Sequence, residues 1–171
     1  MTVVRVLGGD DWPAWRDIRL RALQDSPDAF GSTYAREVAF AETDWRRRLE
    51  DPDAVSVLAL DGPRPVGMGG GFQDLPGWLH VVAMWVEPGA RGQGIGQRLL
   101  STIHRWADSR NLRLHLDVST ANPRARQVYE RYGFRVTGET RPIRSGASGL
   151  VERMVLTRHF CDDTPGKGLD M

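Results

Sequence analysis

The sequence contains very little cysteine and lysine. Cys161 is the only cysteine among 171 residues, so no intrachain disulfide can form and a site with several cysteine ligands is excluded. Lys167 is the only lysine, so nearly all of the positive charge is arginine. The chain start shows no basic-then-apolar leader, and no apolar run approaches the roughly 20 residues of a membrane span. We therefore expect a soluble cytoplasmic protein without a membrane partner.

An excess of charge of one sign is also missing. The formal net charge is +1, with 40% hydrophobic and 26% charged residues, which are ordinary values for a globular chain. This balance gives no electrostatic reason to expect nucleic acid as a partner, and no helix carries a basic, base-reading stripe. The length suits one domain, which we expect at 1–160. The segment 161–171 has no hydrophobic periodicity and is expected to be disordered.

The most informative stretch runs from Trp78 to Arg110. Residues 79–86 form an apolar run that predicts a buried strand, and the Glu-Pro-Gly sequence at 87–89 ends it. The turn 91–96, of sequence RGQGIG, precedes apolar residues at four-residue spacing, which predict an amphipathic helix. A glycine-rich turn before a helix exposes backbone N–H groups beside the positive end of the helix dipole. The expected ligand is therefore a phosphate or pyrophosphate.

Two common phosphate loops do not fit this turn. No lysine follows the glycines, which excludes the Walker A pattern, and the dinucleotide fingerprint lacks its third glycine. The turn instead resembles the pyrophosphate loop, Arg/Gln-x-x-Gly-x-Gly/Ala, of the GNAT superfamily of acyl-CoA-dependent N-acyltransferases. A second block, Asn122 to Phe134, resembles the Asn…Ala…Tyr-Glu-x-x-Gly-Phe segment of that family. The two blocks stand in the family's order, and the resemblance covers residues 55–158 most firmly.

The order of predicted elements indicates an α/β (α+β) fold. Strands outnumber helices, and the clear helical crossover follows Val86, which predicts a mixed sheet with helices on both faces. The resemblance implies the GNAT version of this arrangement. In that fold the central sheet is mostly antiparallel, and two central parallel strands splay apart to admit the pantetheine arm of the cofactor.

The resemblance implies acetyl-CoA as acyl donor and assigns residues to it. The backbone at Met84, Trp85 and Val86 is expected to pair with pantetheine as a short added strand would. Asn122 and Tyr129 match positions that contact the cofactor, although an isolated Asn before Pro is also a good helix cap. The expected pyrophosphate contacts are Arg91, Gly92, Gln93, Gly94, Ile95, Gly96 and Gln97.

The resemblance also suggests the residues that carry the chemistry. Tyr129 matches the family position that protonates the departing thiolate, whereas Tyr132 on the same helix is expected in the core. His80 and Asp117 are alternative bases for the acceptor amine, and Glu87 is a third candidate. Strict alternation along the strand would place His80 on one face with three other residues. These are Val82, Met84 and Val86.

No metal is expected from the sequence, because His104, His115 and His159 show no ligand spacing. Phe30 and Tyr34, in the loop 28–34, are expected either to line an acceptor pocket or simply to pack the loop. Many relatives of this kind form homodimers, but no interface is evident in the sequence.

The expected function is an N-acetyltransferase that moves acetyl from acetyl-CoA to a primary amine of a small molecule or peptide. Cys161 lies outside both blocks, which favours direct attack in a ternary complex over an acyl-enzyme. Arg141 and Arg144 either face an acceptor carboxylate or lie in solvent. The alternative is a non-catalytic acyl-CoA sensor, which would not need Tyr129, His80 or Asp117.

Overall fold

The computed structural model describes residues 1–146 and 148–157. The described strands are β1 (Thr2–Val6), β2 (Ala54–Asp61), β3 (Arg64–Leu75), β4 (Trp78–Val86), β5 (Arg113–Ser119), β6 (Phe134–Pro142) and β7 (Leu150–Leu156). The helices are α1 (Trp12–Asp25), α2 (Tyr34–Glu37), α3 (Glu42–Glu50), α4 (Ile95–Asp108) and α5 (Pro123–Tyr132). The predicted disordered tail at 161–171 lies outside the described residues. None of the described helices is both long and apolar enough to cross a bilayer.

The seven described strands form one sheet in the order β1-β2-β3-β4-β5-β7-β6. Neighbouring strands are antiparallel except β4 and β5, which run parallel. The parallel pairing covers only Trp78–Val81 against Arg113–Leu116. Beyond this point the two strands separate, because β5 continues with β7 while β4 keeps pairing with β3. The predicted mixed, mostly antiparallel sheet with a splayed parallel pair is therefore confirmed.

Helices cover both faces of the sheet, as expected. On one face α4 buries Leu99 and Ile103, and α5 packs Tyr129 against the same cluster of apolar side chains. On the other face α1 and α3 bury Ile18 and Trp45 in a second cluster. Burying apolar area on both sides of the sheet is the main stabilising term of such a layered domain. Packing on both faces thus holds the central strands, and the side chains on them, in defined positions.

Strand β4 contains a bulge at Ala83, whose φ is +58°. Such a bulge inserts one residue and reverses the side-chain alternation beyond it. Met84 and Val86 consequently pack into the cluster under α4, while Ala83 packs toward α1. The expectation that His80 shares a face with Met84 and Val86 is wrong for this reason. The alternation rule holds only as far as Val82.

The three successive glycines at 69–71 allow close packing in the middle of β3. A Cβ atom on Gly70 would lie 2.8 Å from the carbonyl oxygen of Val55, and one on Gly71 would lie 2.8 Å from the side chain of Leu79. Both distances are shorter than any normal contact. Neither position therefore has room for a side chain.

The glycine contacts predict that Gly70→Ala destabilises the fold. Because the blocking atom is a backbone oxygen, the strand must shift, and we expect a loss of about 1–3 kcal/mol in the free energy of unfolding. Urea denaturation would measure this loss. The matched control is Gly89→Ala, where a Cβ would meet nothing within 4 Å. Equal stabilities of the two variants would contradict the packing described.

Candidate active site

The separation of β4 from β5 leaves part of one edge of β4 unpaired. From Val82 to Val86 no strand of the described residues lies beside the edge that faces β5, since the ladder stops at Val81 and Leu116. Unpaired N–H and C=O groups on such an edge can accept an extended ligand. The carbonyl of Val86 already accepts a hydrogen bond from Arg91 Nε at 2.8 Å. The predicted pantetheine positions, Met84, Trp85 and Val86, all lie on this open segment.

The glycine-rich loop leads directly into α4, as predicted. Gly92 and Gly94 adopt positive φ angles of 78° and 74°, which glycine tolerates without strain. Arg98 N–H donates to the Gly94 carbonyl at 3.1 Å as the helical ladder begins. The preceding amides, from Gly92 to Gln97, therefore lack helical acceptors, as at any helix start. Together with the positive end of the helix dipole they suit an anionic group.

Arg91 is tied to the protein on two sides. Besides its bond to Val86, its Nη2 lies 3.1 Å from Asp25 at the end of α1. Hydrogen bonds from Ser26, Trp85 and Arg91 together lower the pKa of Asp25, so this carboxylate is ionised. Arg91 thus fixes the loop to α1 and β4. A direct contact of Arg91 with pyrophosphate stays a prediction.

The two tyrosines of α5 differ in their hydrogen bonding. Tyr132 Oη lies 3.0 Å from His104 Nδ1 and 3.5 Å from Ser101 Oγ, which confirms its expected structural position. The hydroxyl of Tyr129 has no hydrogen-bond partner within the described part of the chain. Tyr129 still borders the central cavity, although enough protein surrounds its hydroxyl for burial to raise its pKa to about 12. It is a neutral phenol that is available to a ligand.

Asn122 caps α5. Its Oδ1 accepts a hydrogen bond from the backbone N–H of Ala125 at 3.1 Å, the usual contact of an N-cap residue. The cap uses only the carbonyl end of the side chain. The contact of Asn122 with the cofactor therefore stays a prediction that would involve the amide NH₂.

A polar cluster lies where β3, β4 and β5 are neighbours. His80 Nε2 lies 3.4 Å from Asp117 Oδ2, and His80 Nδ1 lies 3.9 Å from Asp74 Oδ2. The imidazole of His80 stacks on that of His115 at 4.6 Å, and His115 Nε2 is 2.9 Å from Asp74 Oδ1. Asp74 and His115 were not expected in the site from the sequence. His80 and His115 are direct partners in the parallel ladder, a register that the sequence does not reveal.

Asp117 is held by two arginines as well as by His80. Arg153 Nε lies 3.1 Å from its Oδ1, and Arg141 Nε lies 3.2 Å from its Oδ2. Burial alone would raise the pKa of Asp117, but the hydrogen bonds from His80, Arg153 and Arg141 outweigh it and hold the pKa well below its ordinary value. Asp117 is therefore an ionised carboxylate and a weak proton acceptor.

Three further charged candidates are bound within the protein. Arg141 binds Asp117 and lies in the cavity wall with its side chain half exposed. Arg144 donates to the backbone carbonyl of Phe30 at 3.0 Å. Glu87 accepts a hydrogen bond from Arg21 at 3.1 Å and also pairs with Arg64. These contacts give Glu87 a structural role between β4 and α1.

A cavity of about 520 Å³ runs through the opening in the sheet. Trp15 of α1 borders it from one face and Tyr129 of α5 from the other, with His80 and Asp117 between them. Phe30 is 5% exposed and lies in the cavity wall. Of its two expected positions, in a pocket wall or only in the packing of the loop, this is the first. Tyr34 is 36% exposed and is not part of the wall. The prediction that Tyr34 lines the pocket is wrong, because Tyr34 begins α2 outside it.

A splayed parallel pair, a glycine-rich loop at the start of a helix and a phenol without a hydrogen bond beside the cavity are the features that the family resemblance predicts. The model of the Acetyltransferase (GNAT) family matches residues 12–134, which is more than half of the chain. The chain belongs to this family of acetyltransferases.

Individual relatives agree with this assignment. Acetyltransferase Atu2258 of Agrobacterium fabrum is 40% identical over 72 residues, a match that covers 42% of this chain and 52% of Atu2258. The chain thus spans about half of that relative. Peptidyl-lysine N-acetyltransferase YjaB of Salmonella typhimurium is 30% identical over 127 residues, covering 74% of this chain and 75% of YjaB.

Solved structures of other proteins have the same fold. The yncA protein of Salmonella typhimurium, determined with its cofactor acetyl-CoA, superposes with a TM-score of 0.75. The superposition covers 96% of this chain and 99% of yncA, at 16% sequence identity. At that identity the likeness establishes the fold alone.

The contacts of Asp117 predict a pH-dependent contribution to stability. Its pKa is lowered on folding, so the stabilisation is present above the unfolded value of about 3.9 and is lost as the pH falls below it. At pH 7 we expect Asp117→Asn to cost about 2 kcal/mol, less than a fully buried pair because Arg141 is half exposed. Denaturation of both proteins between pH 7 and pH 3 would show this difference shrinking. A difference that is constant with pH, or one that Asp28→Asn reproduces, would contradict it.

Proposed function

We propose that the protein transfers the acetyl group of acetyl-CoA to a primary amine of a small molecule or peptide, by direct attack in a ternary complex. The observation that carries this proposal is the unbonded hydroxyl of Tyr129, which borders the same cavity as His80 and the open edge of β4. A module that only binds the cofactor needs no such phenol opposite a histidine.

The chain has a separate binding surface for each part of the acyl donor. The amides from Gly92 to Gln97 would hold the pyrophosphate, and the edge from Met84 to Val86 would pair with the pantetheine arm. Both surfaces consist of backbone groups fixed by packed elements, so little conformational entropy is lost when the donor binds. The thioester would then lie in the opening of the sheet, within reach of both faces.

Tyr129 would act on the leaving group. Its raised pKa, about 12, keeps the phenol protonated at any physiological pH, so it can always donate a hydrogen bond. The sulfur of the thioester gains negative charge as its bond to the acetyl carbon breaks. A donor placed at that sulfur stabilises the transition state more than the ground state.

His80 would remove the proton from the acceptor amine. Histidine is the side chain that most often serves as a general base in enzymes. Asp117 is a poor alternative because its pKa is lowered, but its carboxylate lies 3.4 Å from His80 Nε2. It would stabilise the imidazolium that forms when His80 takes the proton.

One arginine in the cavity wall would suit an acceptor with an acidic group. Arg19 and Arg48 both bind Glu37, with Arg19 Nε at 3.0 Å and Arg48 Nη1 at 3.3 Å. Arg36 also lines the cavity, and it has no ion pair among the described residues. Asp51 and Asp117 lie in the same wall, so the wall as a whole is not strongly basic. Arg36 is the group that would pair with the carboxylate of an amino acid or peptide.

The experiment that tests the proposed function is thiol release from acetyl-CoA with a panel of amines. The panel would hold amino acids, their methyl esters, aminoglycosides and lysine-containing peptides. We expect turnover with at least one class, and a Tyr129→Phe variant slowed about tenfold or more with little change in acetyl-CoA affinity. Tyr132→Phe is the matched control, since it removes a hydroxyl that faces His104 instead of the cavity. Turnover that Tyr129→Phe leaves intact would refute the assigned acid, and tight acetyl-CoA binding without turnover would favour a sensor.

A second test concerns the base. His80→Gln keeps the size and polarity of the side chain but cannot take a proton near neutrality. We expect kcat/KM for the amine to fall by about 100-fold or more at pH 7, with the residual rate rising as the pH approaches the pKa of the amine. At such a pH the amine has already lost its proton to solvent, so the reaction no longer needs a base from the protein. Rates of His80→Gln that match those of the parent protein at pH 7 would exclude His80 as the base.

A further inference from the structure

Three side chains of metal-ligand type meet beside the cavity. Asp74 of β3, His80 of β4 and His115 of β5 each place one ligating atom within 4.8 Å of the other two. Two imidazoles and one carboxylate are a donor set that Zn²⁺ and related divalent transition metals accept in proteins. The residues are far apart in sequence, which is why their spacing along the chain predicted no metal.

The sheet fixes the backbone of all three residues. His80 and His115 are direct partners across the parallel ladder, so their side chains leave the sheet side by side. Asp74 follows Gln73 at an irregularity in the pairing of β3 with β4, next to that pair. A site on three neighbouring strands needs only side-chain rotations to bind, so it is largely preorganised.

The ligating atoms lie close together and can be reached from solvent. The imidazole of His115 is buried beside Asp74. Its Nε2 lies 2.9 Å from Asp74, and its buried Nδ1 has no hydrogen-bond partner. The side chains of His80 and Asp74 keep 13% and 21% exposure, which leaves a path for an ion from solvent.

We propose that Asp74, His80 and His115 form a binding site for a divalent transition metal such as Zn²⁺, with solvent completing the coordination. The two imidazoles now stack with an interplanar angle of 19°, so their lone pairs do not point to one position. Binding therefore requires the His80 ring to turn toward Asp74, whose Oδ2 is 3.9 Å from its Nδ1. The ion then replaces the hydrogen bond between His115 and Asp74.

Metal binding has a consequence that rests on the proposed function. A His80 imidazole with Nδ1 on the ion carries its proton on Nε2 and cannot accept another from an amine. Zn²⁺ would therefore inhibit acetyl transfer. Binding itself does not depend on the reaction, so the site is tested without any assay of turnover.

The test is calorimetric titration of Zn²⁺ into metal-free protein in a buffer that does not chelate the ion. We expect one Zn²⁺ per chain in the parent protein, and binding weakened about tenfold or more by either His115→Gln or Asp74→Asn. Asp28→Asn is the control, since this exposed carboxylate lies in another part of the chain. Circular dichroism of each variant would verify that it is folded. If one of the two variants fails to fold, the other still tests the site.

Two results would overturn the proposal. One is the absence of stoichiometric Zn²⁺ binding to the parent protein. The other is binding that survives in both His115→Gln and Asp74→Asn but is lost in Cys161→Ser, which would assign the ion to the C-terminal segment. Absence of thiol release from the metal-free protein, with Zn²⁺ still binding at this cluster when it is added, would count against the proposed enzyme function and leave the metal site standing.

Discussion

The separation of β4 from β5 after Val81 and Leu116 is the constraint on which the site depends. Buried backbone N–H and C=O groups must find partners, so a sheet cannot open at its centre unless something else meets the exposed edge. Here Arg91 satisfies the carbonyl of Val86, and the remaining edge is open to an extended ligand. The same opening joins the two faces of the sheet, which is how Tyr129 and His80 come to border one cavity.

Charges around the opening are held in pairs. Asp117 lies among Arg141, Arg153 and His80, and Glu37 is fully buried between two arginines. A buried carboxylate without such partners would be protonated or would destabilise the fold. The pairing keeps Asp117 ionised beside His80 and lowers its pKa, so the carboxylate is a weak proton acceptor. This is the reason that His80 is the proposed base.

The sequence was sufficient for the features that depend on local pattern. The strand, glycine loop and helix from 78 to 108 predicted the exposed loop amides. The splayed sheet was expected only from the family resemblance that this stretch and the second block at 122–134 carry. The bulge at Ala83 could not be read from the sequence, because alanine carries no signal for a positive φ, and it reversed the face assigned to Met84 and Val86. The cluster of Asp74 with His80 and His115 was missed for another reason. Contacts between strands depend on register, which residues distant in sequence do not reveal.

The most direct test of this account is a crystal structure of the protein with coenzyme A. The account predicts the pyrophosphate on the amides from Gly92 to Gln97, pantetheine along Met84 to Val86, and the thiol sulfur within about 3.5 Å of Tyr129 Oη. A cofactor bound elsewhere, or a sulfur separated from Tyr129 by other side chains, would contradict it.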